Sequence, residues 1–271
     1  MPEDEAQARA ARTYNAAADA YDDPANSFWE RFGRRTIERM RLPEGAAVLD
    51  ACCGSGASAL AAASIVGPGG IVIGVDLAER LLMRARAKAQ ALGLGNIQFC
   101  LGDMLAPPTG GQQFDAVVCV FGIFFVPDMP RALKGLWEQL RPGGQLAITT
   151  WGPRFFEPAT SAFWNSIRDE RPDLYRNFNP WDLICDAQSL SALFTAAGIA
   201  APLIAAESGR HPIPSPEAWW AAVLGSGYRG TVDQLDAAAV RRVREANFEF
   251  IRSSGTTAVE ANVVYALARK P

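Results

Sequence analysis

Short apolar runs alternate with helix-forming segments through residues 46–151 of the chain. The apolar runs predict five strands, over residues 46–49, 71–75, 97–100, 114–120 and 145–150. The segments between them predict helices over residues 57–66, 78–92 and 129–140. Because buried strands that alternate with helices form right-handed crossovers, this order predicts an α/β fold with a doubly wound, mostly parallel sheet.

The segments outside this alternation have weaker patterns. Residues 1–41 are predicted to be helical with an interruption at Pro24, whereas residues 152–187 are rich in proline and aromatic residues and lack clean periodicity. We predict a helix over 189–197, a strand over 202–207 that can run on to 213, mostly helix over 214–254, and a last strand over 259–269. The expectation is one domain with a seven-stranded core (46–151, 189–213 and 258–271) and helical lid or cap segments (1–41, 152–187 and 214–256).

The first candidate for a functional site is a glycine-containing segment that begins with an acidic residue and has a second acidic residue at the end of the next strand. Asp50-Ala51-Cys52-Cys53-Gly54-Ser55-Gly56 follows the first strand and leads directly into a helix. The glycines allow a tight turn and a close approach of the backbone to a ligand, and the helix N-terminus carries partial positive charge. Asp76, at the tip of the second strand, is well placed to accept hydrogen bonds from the two hydroxyls of a ribose.

This segment fits two kinds of nucleotide site. Residues 54–59 match GxGxxA, a tolerated dinucleotide fingerprint, which leaves an NAD(P)-dependent oxidoreductase open. In dinucleotide enzymes, however, the first glycine usually follows the strand directly, and here three residues separate Asp50 from Gly54.

Five motifs in order instead resemble those of class I S-adenosylmethionine-dependent methyltransferases, within the branch that includes quinone-biosynthesis and natural-product enzymes. They cover about residues 46–151 and are Asp50-x-x-x-Gly54-x-Gly56, Gly74-Val75-Asp76-Leu77, Gly102-Asp103-Met104, Phe114-Asp115-Ala116-Val117-Val118 and Leu140-Arg141-Pro142-Gly143-Gly144-Gln145-Leu146. The resemblance implies a Rossmann-like methyltransferase fold, S-adenosylmethionine as the cofactor, and transfer of its methyl group.

The resemblance also implies roles for single residues in binding the cofactor. The Gly54 to Gly56 backbone, with Ala51 before it, would lie against the methionine part, and Asp50 would anchor that loop or the cofactor ammonium. Asp76 would bind the ribose, and Leu77, Asp103 and Met104 would contact the adenine. Val120 and Phe121 would lie beside the sulfonium. Tyr14 and Tyr21 would belong to a lid over the cofactor. Taken singly, Asp76 could also be a helix cap and Asp103 a turn residue.

Aromatic residues near the ends of the predicted strands suggest a site for the methyl acceptor. Phe125 and Trp151 follow core strands, and Tyr14 and Trp219 are further candidates to line an apolar pocket. We therefore expect O-, N- or C-methylation of a mostly apolar small molecule that contains a ring. His211 is the only histidine, and it is either a general base or acceptor clamp, or a surface histidine with no role in the reaction.

Composition limits the other functions. The formal net charge of -3 gives no basic excess for nucleic acid, and the longest apolar run, 117–126, is too short to span a bilayer. The five cysteines form no CxxC pair, so we expect no metal site. Scattered free cysteines and the lack of an apolar signal core after Arg12 favour a cytoplasmic location, and a homodimer is compatible with the sequence. A non-catalytic protein that binds S-adenosylmethionine stays open.

Overall fold

A computed structural model describes residues 3–271 and places seven of its strands in one sheet. The strands are β1 Ala47–Ala51, β2 Ile71–Asp76, β3 Ile97–Leu101, β4 Phe114–Val120, β5 Leu140–Trp151, β6 Leu203–Glu207, β7 Arg210–Pro212, β8 Ala258–Glu260 and β9 Val263–Arg269. The order across the large sheet is β3-β2-β1-β4-β5-β9-β6, and β7 pairs with β8 in a separate ribbon. The predicted seven-stranded α/β sheet is confirmed.

The five strands that the apolar pattern predicted are all parallel to one another. β1 lies between β2 and β4, with Leu49 opposite Ile73 on one side and Val117 on the other. β9 runs antiparallel to both β5 and β6. The carboxyl ends of the parallel strands therefore meet at one edge of the sheet, which is where open α/β sheets bind ligands.

Ten α-helices cover the sheet and cap that edge within the described residues. They are α1 Glu3–Tyr21, α2 Phe28–Met40, α3 Ala57–Val66, α4 Glu79–Ala91, α5 Met129–Glu138, α6 Ala159–Glu170, α7 Ala187–Ala196, α8 Pro216–Leu224, α9 Arg229–Val232 and α10 Ala237–Ser254. None of the helices within residues 3–271 is long and apolar enough to cross a lipid bilayer.

Three elements differ from the sequence-based expectation. β5 begins at Leu140, five residues earlier than predicted. The Pro-Gly-Gly segment stays in the strand because the pairing register shifts between Phe114 and Ala116 and because Gly143 has a positive φ. The expected extension of the sixth strand to residue 213 leaves the large sheet and becomes β7, and the predicted last strand is divided into β8 and β9. Helix α6 was not predicted, although its buried Phe163, Trp164 and Ile167 have helical spacing.

A buried polar network joins the cap helices α6, α8 and α10. The Asn247 side chain is fully buried; its Oδ1 accepts from Trp219 Nε1 at 2.8 Å and its Nδ2 donates to Ser166 Oγ at 3.0 Å. Buried side chains of the cap and of the sheet belong to one contiguous apolar cluster. The cap is therefore packed onto the core of the sheet, and the single domain with its expected boundaries stays a prediction.

Asp50 links the end of β1 to the first turn of α3. Its side chain is fully buried, and Oδ2 accepts a hydrogen bond from Ser58 Oγ at 2.6 Å. Burial disfavours the charged form and raises the pKa of Asp50 to about 7, although the hydrogen bond from Ser58 opposes the shift.

We expect Asp50→Asn to make thermal stability less dependent on pH. The pKa of Asp50 is higher in the folded than in the unfolded chain, so wild-type stability should fall as pH rises from about 4 to 7 and level off above 7. The amide stays neutral, so the Tm of the variant relative to wild type should rise between pH 5 and pH 8, and the corresponding change in the free energy of unfolding is at most about 3 kcal/mol. Calorimetric Tm values across this pH range measure the effect.

Asp236→Asn is the matched control. The exposed Asp236 carboxylate caps α10, and its bonds to backbone N–H groups lower its pKa, so it stays ionised from pH 5 to 8. Its Tm difference from wild type should therefore be constant over this range. An equally constant difference for Asp50→Asn would contradict a raised pKa at Asp50.

Candidate functional site

The loop between β1 and α3 makes an unusually tight turn. Cys52, Gly54 and Gly56 all have positive φ, at 64°, 53° and 91°. A Cβ atom on Gly54 would lie 2.9 Å from the Tyr21 hydroxyl, so both the conformation and the space require glycine there. The loop thereby presents bare backbone to a cavity beside it.

Asp76 connects this loop to the end of β2. Its Oδ2 accepts from Gly54 N and its Oδ1 from Ala78 N, both at 2.8 Å. The carboxylate also lines the cavity, and burial raises its pKa above the ordinary value. The helix-cap and ligand-binding interpretations of Asp76 are thus compatible, because a carboxylate has lone pairs beyond the two that these bonds use.

Asp103 faces the same cavity from the segment that follows β3. Oδ1 accepts from Leu105 N at 2.9 Å, and Oδ2 accepts from the Gln7 side-chain amide at 2.7 Å. Oδ2 thus accepts from an NH₂ group on a trigonal carbon, the same kind of donor as the adenine amino group that the sequence-based expectation assigned to Asp103.

The cavity between these elements has an empty volume of about 740 Å³, part of it open to solvent. Ten of the residues that the sequence singled out line it: Tyr14, Tyr21, Gly54, Asp76, Leu77, Asp103, Met104, Val120, Phe121 and Phe125. The structure thus brings together residues from α1, from the ends of four strands and from the loops after them.

Three residues of the expected cofactor set lie behind the cavity wall. Asp50 and Ala51 are buried in β1, and Asp50 bonds to Ser58 instead of facing the cavity. A Cβ atom on Gly56 would meet Ala85 at 3.2 Å, so this glycine serves the packing of α3 against α4. These residues shape the loop and do not line the space beside it.

His211 and Trp219 lie away from the cavities. His211 is buried, its Nε2 lies 2.6 Å from the carbonyl oxygen of Ala25, and its ring packs edge-on against Phe28. Burial lowers the pKa of His211, which favours the neutral ring. Trp219 is fully buried and donates to Asn247. The structure gives both residues packing contacts, and neither is brought to the loop after β1.

A stack of aromatic rings closes the side of the cavity beyond β4 and β5. Phe121 and Trp151 are stacked at 3.8 Å between ring centroids, and Trp29 stacks on Tyr21 at 5.0 Å. Phe121 has a φ of 55°, a conformation that costs a bulky residue about 1–3 kcal/mol and persists only where its surroundings enforce it. The strained backbone places the Phe121 ring between the first cavity and Trp151.

A second cavity lies on the other side of Tyr14 and Phe125. Its empty volume is about 750 Å³, again with part open to solvent, and α1, the cap and the segment after β4 supply its walls. A narrow cleft, lined by Trp29, Phe121, Trp151 and other aromatic residues, adjoins both cavities. Trp151 therefore lines the cleft, while Phe125 borders the first and second cavities.

Ion pairs and hydrogen bonds hold α1 against α4, over the first cavity. Arg80 donates to Asp19 Oδ1 at 2.6 Å and to the Asn15 carbonyl oxygen at 3.0 Å. Lys88 donates to Asp22 Oδ1 at 2.8 Å and to Ser55 Oγ at 2.9 Å. Helix α1 thus lies as a lid across the loop after β1.

Sequence reasoning missed Gln7 and Cys52 as cavity residues. Gln7 shares a helix face with Ala11 and Tyr14, a spacing of four and three that the Tyr14 assignment could have extended. Cys52 Sγ lies 3.3 Å from Met104 Sδ, a contact between segments 52 residues apart that has no local signal.

Comparison with known proteins agrees with the geometry of the loop and the strand ends. Residues 48–144 match the model of a methyltransferase domain. Demethylmenaquinone methyltransferase of Listeria welshimeri is 35% identical over 117 residues, 43% of this chain and 50% of that protein. Nocamycin O-methyltransferase of Saccharothrix syringae is 33% identical over 136 residues, 50% of this chain and 49% of that protein. The matched part of the chain spans about half the length of these relatives.

Solved structures share the fold over most of the chain. The YcgJ protein of Bacillus subtilis has a TM-score of 0.57 and 18% identity, and covers 89% of this chain and 98% of its own. The cyclase SpnF has a TM-score of 0.53 and 20% identity, with 89% of this chain and 80% of its own covered. At this identity the likeness concerns the fold alone. The matched model, the order of the strands and the loop after β1 together identify residues 48–144 as a methyltransferase domain.

Proposed function

We propose that this protein transfers the methyl group of S-adenosylmethionine to a mostly apolar small molecule that contains a ring. The observation that carries the proposal is the placement of Asp76 and Asp103, at successive strand ends, on the wall of one cavity. A second cavity with aromatic walls adjoins it at Tyr14 and Phe125. The pair of spaces suits a nucleoside donor beside an apolar acceptor.

Two carboxylates and the glycine loop are assigned to the donor. Asp76 accepts hydrogen bonds from the ribose hydroxyls, and Asp103 accepts one from the adenine amino group in place of Gln7. Leu77 and Met104 pack on the adenine, and the backbone at Gly54 approaches the methionine part. These roles follow the resemblance in the motifs, and the lining of the first cavity supports each of them.

Aromatic residues are assigned to the reacting end of the site. The rings of Tyr14 and Tyr21 lie 6.2 Å apart at the cavity wall, where a sulfonium near an aromatic face gains about 0.5–2 kcal/mol. Val120 and Phe121 border the same end, and Phe125 and Trp151 border the approach of the acceptor. Their burial excludes water from the path between the two cavities.

The bound donor supplies a methyl group on a sulfonium, which passes to the acceptor nucleophile while the sulfur keeps the electron pair of the broken bond. The chain contributes alignment, and proximity of this kind is worth about 7–11 kcal/mol. Four described side chains on the second cavity and the cleft can ionise: Arg9, Tyr14, Arg176 and Tyr228. Burial raises the pKa of both tyrosines above the ordinary value, so neither offers a base near pH 7, and we expect the acceptor to lose its proton by its own acidity.

The two alternative functions, an NAD(P)-dependent oxidoreductase and a non-catalytic binding protein, would require different groups in the same site. An NAD(P)-dependent oxidoreductase would need an ionisable catalytic group beside the nicotinamide. The residues around the cleft are mostly aromatic, which does not favour that function. The likeness to the cyclase SpnF does not favour a non-catalytic role, because it shows only that one fold supports different reactions. The homodimer and the cytoplasmic location stay predictions.

We expect Asp76→Ala to weaken binding of S-adenosylhomocysteine at least tenfold, about 1.4 kcal/mol or more, because two hydrogen bonds to a charged group are lost. Isothermal titration calorimetry measures the effect on the full chain, with NADH as the competing ligand. Wild-type binding of NADH and not of the homocysteine nucleoside would contradict the proposal and favour the oxidoreductase.

Asp236→Ala controls for the structural part of the Asp76 substitution. Both carboxylates accept two backbone N–H bonds near a helix start, those of Asp236 from Ala238 and Ala239. Loss of either cap should lower the free energy of unfolding by about 0.5–2 kcal/mol. Equal loss of nucleoside affinity in the two variants would mean that Asp76 acts only through stability.

We expect the pH dependence of kcat/KM to follow the acidity of the acceptor. For phenolic acceptors found by a methyl-transfer screen, the rate should rise with pH, and the midpoint should move with the pKa of the phenol. His211→Asn should leave that midpoint in place, because His211 lines neither cavity nor the cleft. A midpoint that is the same for all acceptors and disappears in His211→Asn would establish His211 as the base.

A further inference from the structure

We propose that the second cavity binds an acceptor that carries a carboxylate, held by Arg9 and Arg176 together with the indole N–H groups of Trp164 and Trp181. The inference rests on the proposed function, since it names the acceptor class for the same site. All four side chains line this cavity.

The two indoles are buried donors without an acceptor. Trp164 and Trp181 are 7% and 8% exposed, and neither Nε1 atom has a hydrogen-bond partner among the described residues. Trp29 and Trp219, by contrast, donate to Gly225 O and Asn247 Oδ1. A buried donor without a partner costs about 1–3 kcal/mol, and both indoles belong to residues that line this cavity, so we infer that a ligand bound there supplies the missing acceptor.

The two guanidinium groups give the cavity a positive charge. Arg9 and Arg176 are half-buried, and neither forms an ion pair or a side-chain hydrogen bond with any part of the chain from residue 3 onward. Most arginines on the surface are paired, as Arg34, Arg171 and Arg242 are. No carboxylate among the described residues lines the second cavity. A planar anion matches the fork of a guanidinium, so a carboxylate fits best.

Helix α1 separates the charge from the methyl donor. Gln7 and Ala11 face the first cavity, Arg9 and Thr13 face the second, and Tyr14 borders both. At 100° per residue, Arg9 and Gln7 point to different faces of the helix. The carboxylate therefore binds on the far side of Tyr14, and the methylated atom is a different part of the same acceptor.

The walls between these two ends are aromatic. Phe124, Phe125 and Tyr228 line the second cavity, and the Phe124 ring lies 5.5 Å from that of Trp181. Such walls suit a flat ring system better than an aliphatic chain. The acceptor class is thus a ring-containing carboxylic acid whose reacting nucleophile is remote from the carboxylate.

The test compares carboxylates with their neutral amides, which have the same shape. Benzoate, benzamide, naphthoate and naphthamide are titrated by calorimetry into the full chain, with and without saturating S-adenosylhomocysteine. We expect naphthoate to bind at least tenfold more tightly than naphthamide, and its affinity to fall with added NaCl. Equal affinity within each pair, or no binding by either carboxylate, would overturn the proposal.

Variants locate the charge that produces this preference. Arg9→Gln combined with Arg176→Gln should reduce the preference for naphthoate to less than twofold. Arg34→Gln combined with Arg252→Gln removes two exposed, ion-paired arginines and should leave the preference unchanged. Trp181→Phe keeps the ring and deletes the donor, and should weaken naphthoate binding about tenfold. A preference that survives in the Arg9/Arg176 variant would assign the carboxylate to another site.

Binding of S-adenosylhomocysteine by each variant separates this proposal from the function itself. If the nucleoside binds and the carboxylate preference is missing, only the acceptor class is wrong. If the nucleoside fails to bind wild type, the methyl transfer is wrong whatever the aromatic probes show.

Discussion

The backbone turn between β1 and α3 is the constraint on which the rest of the site depends. Three left-handed residues, Cys52, Gly54 and Gly56, reverse the chain within five positions. The reversal brings Gly54 N to the Asp76 carboxylate and leaves Gly54 close to the Tyr21 hydroxyl. This short loop therefore contacts the ends of two strands, the start of a helix and the lid. A side chain at Gly54 would disturb all four contacts at once.

The position of α1 decides how the space above this turn is divided. Its ion pairs with α4 are exposed, and each contributes little alone. They act together with the hydrogen bonds of Asn15 to α4 and of Ser55, in the loop after β1, to Lys88. In this position of α1, Tyr14 becomes the partition between a cavity with acidic residues and a cavity with basic ones. Fold alone does not decide chemistry, so the reaction depends on how such a partition divides the space above the sheet.

The sheet and the donor half of the site were predictable because their signals are local. Apolar runs of four to seven residues, separated by helix-forming segments, predict parallel strands, and the carboxyl ends of parallel strands must meet at one edge. Asp76 and Asp103 each follow such a strand, so their convergence on one cavity is a consequence of topology. The bulge at the start of β5 was not predictable, since Pro-Gly-Gly ordinarily ends an element and only pairing with β4 and β9 keeps it extended.

The sequence by itself determined the fold class, the loop after β1 and the acidic residues beside it, because motif spacing along a βαβ unit translates directly into spatial order. Tertiary structure alone decided the second cavity. Arg9 lies more than 150 residues before Trp164, Arg176 and Trp181, and their meeting depends on how the cap packs rather than on any local period. Packing also removed His211 from the site: a single histidine suggests a base, but the ring fills a buried position between Ala25 and Phe28. A reactive side chain differs from a structural one in its burial and its hydrogen-bond partners, and neither can be read from a single sequence.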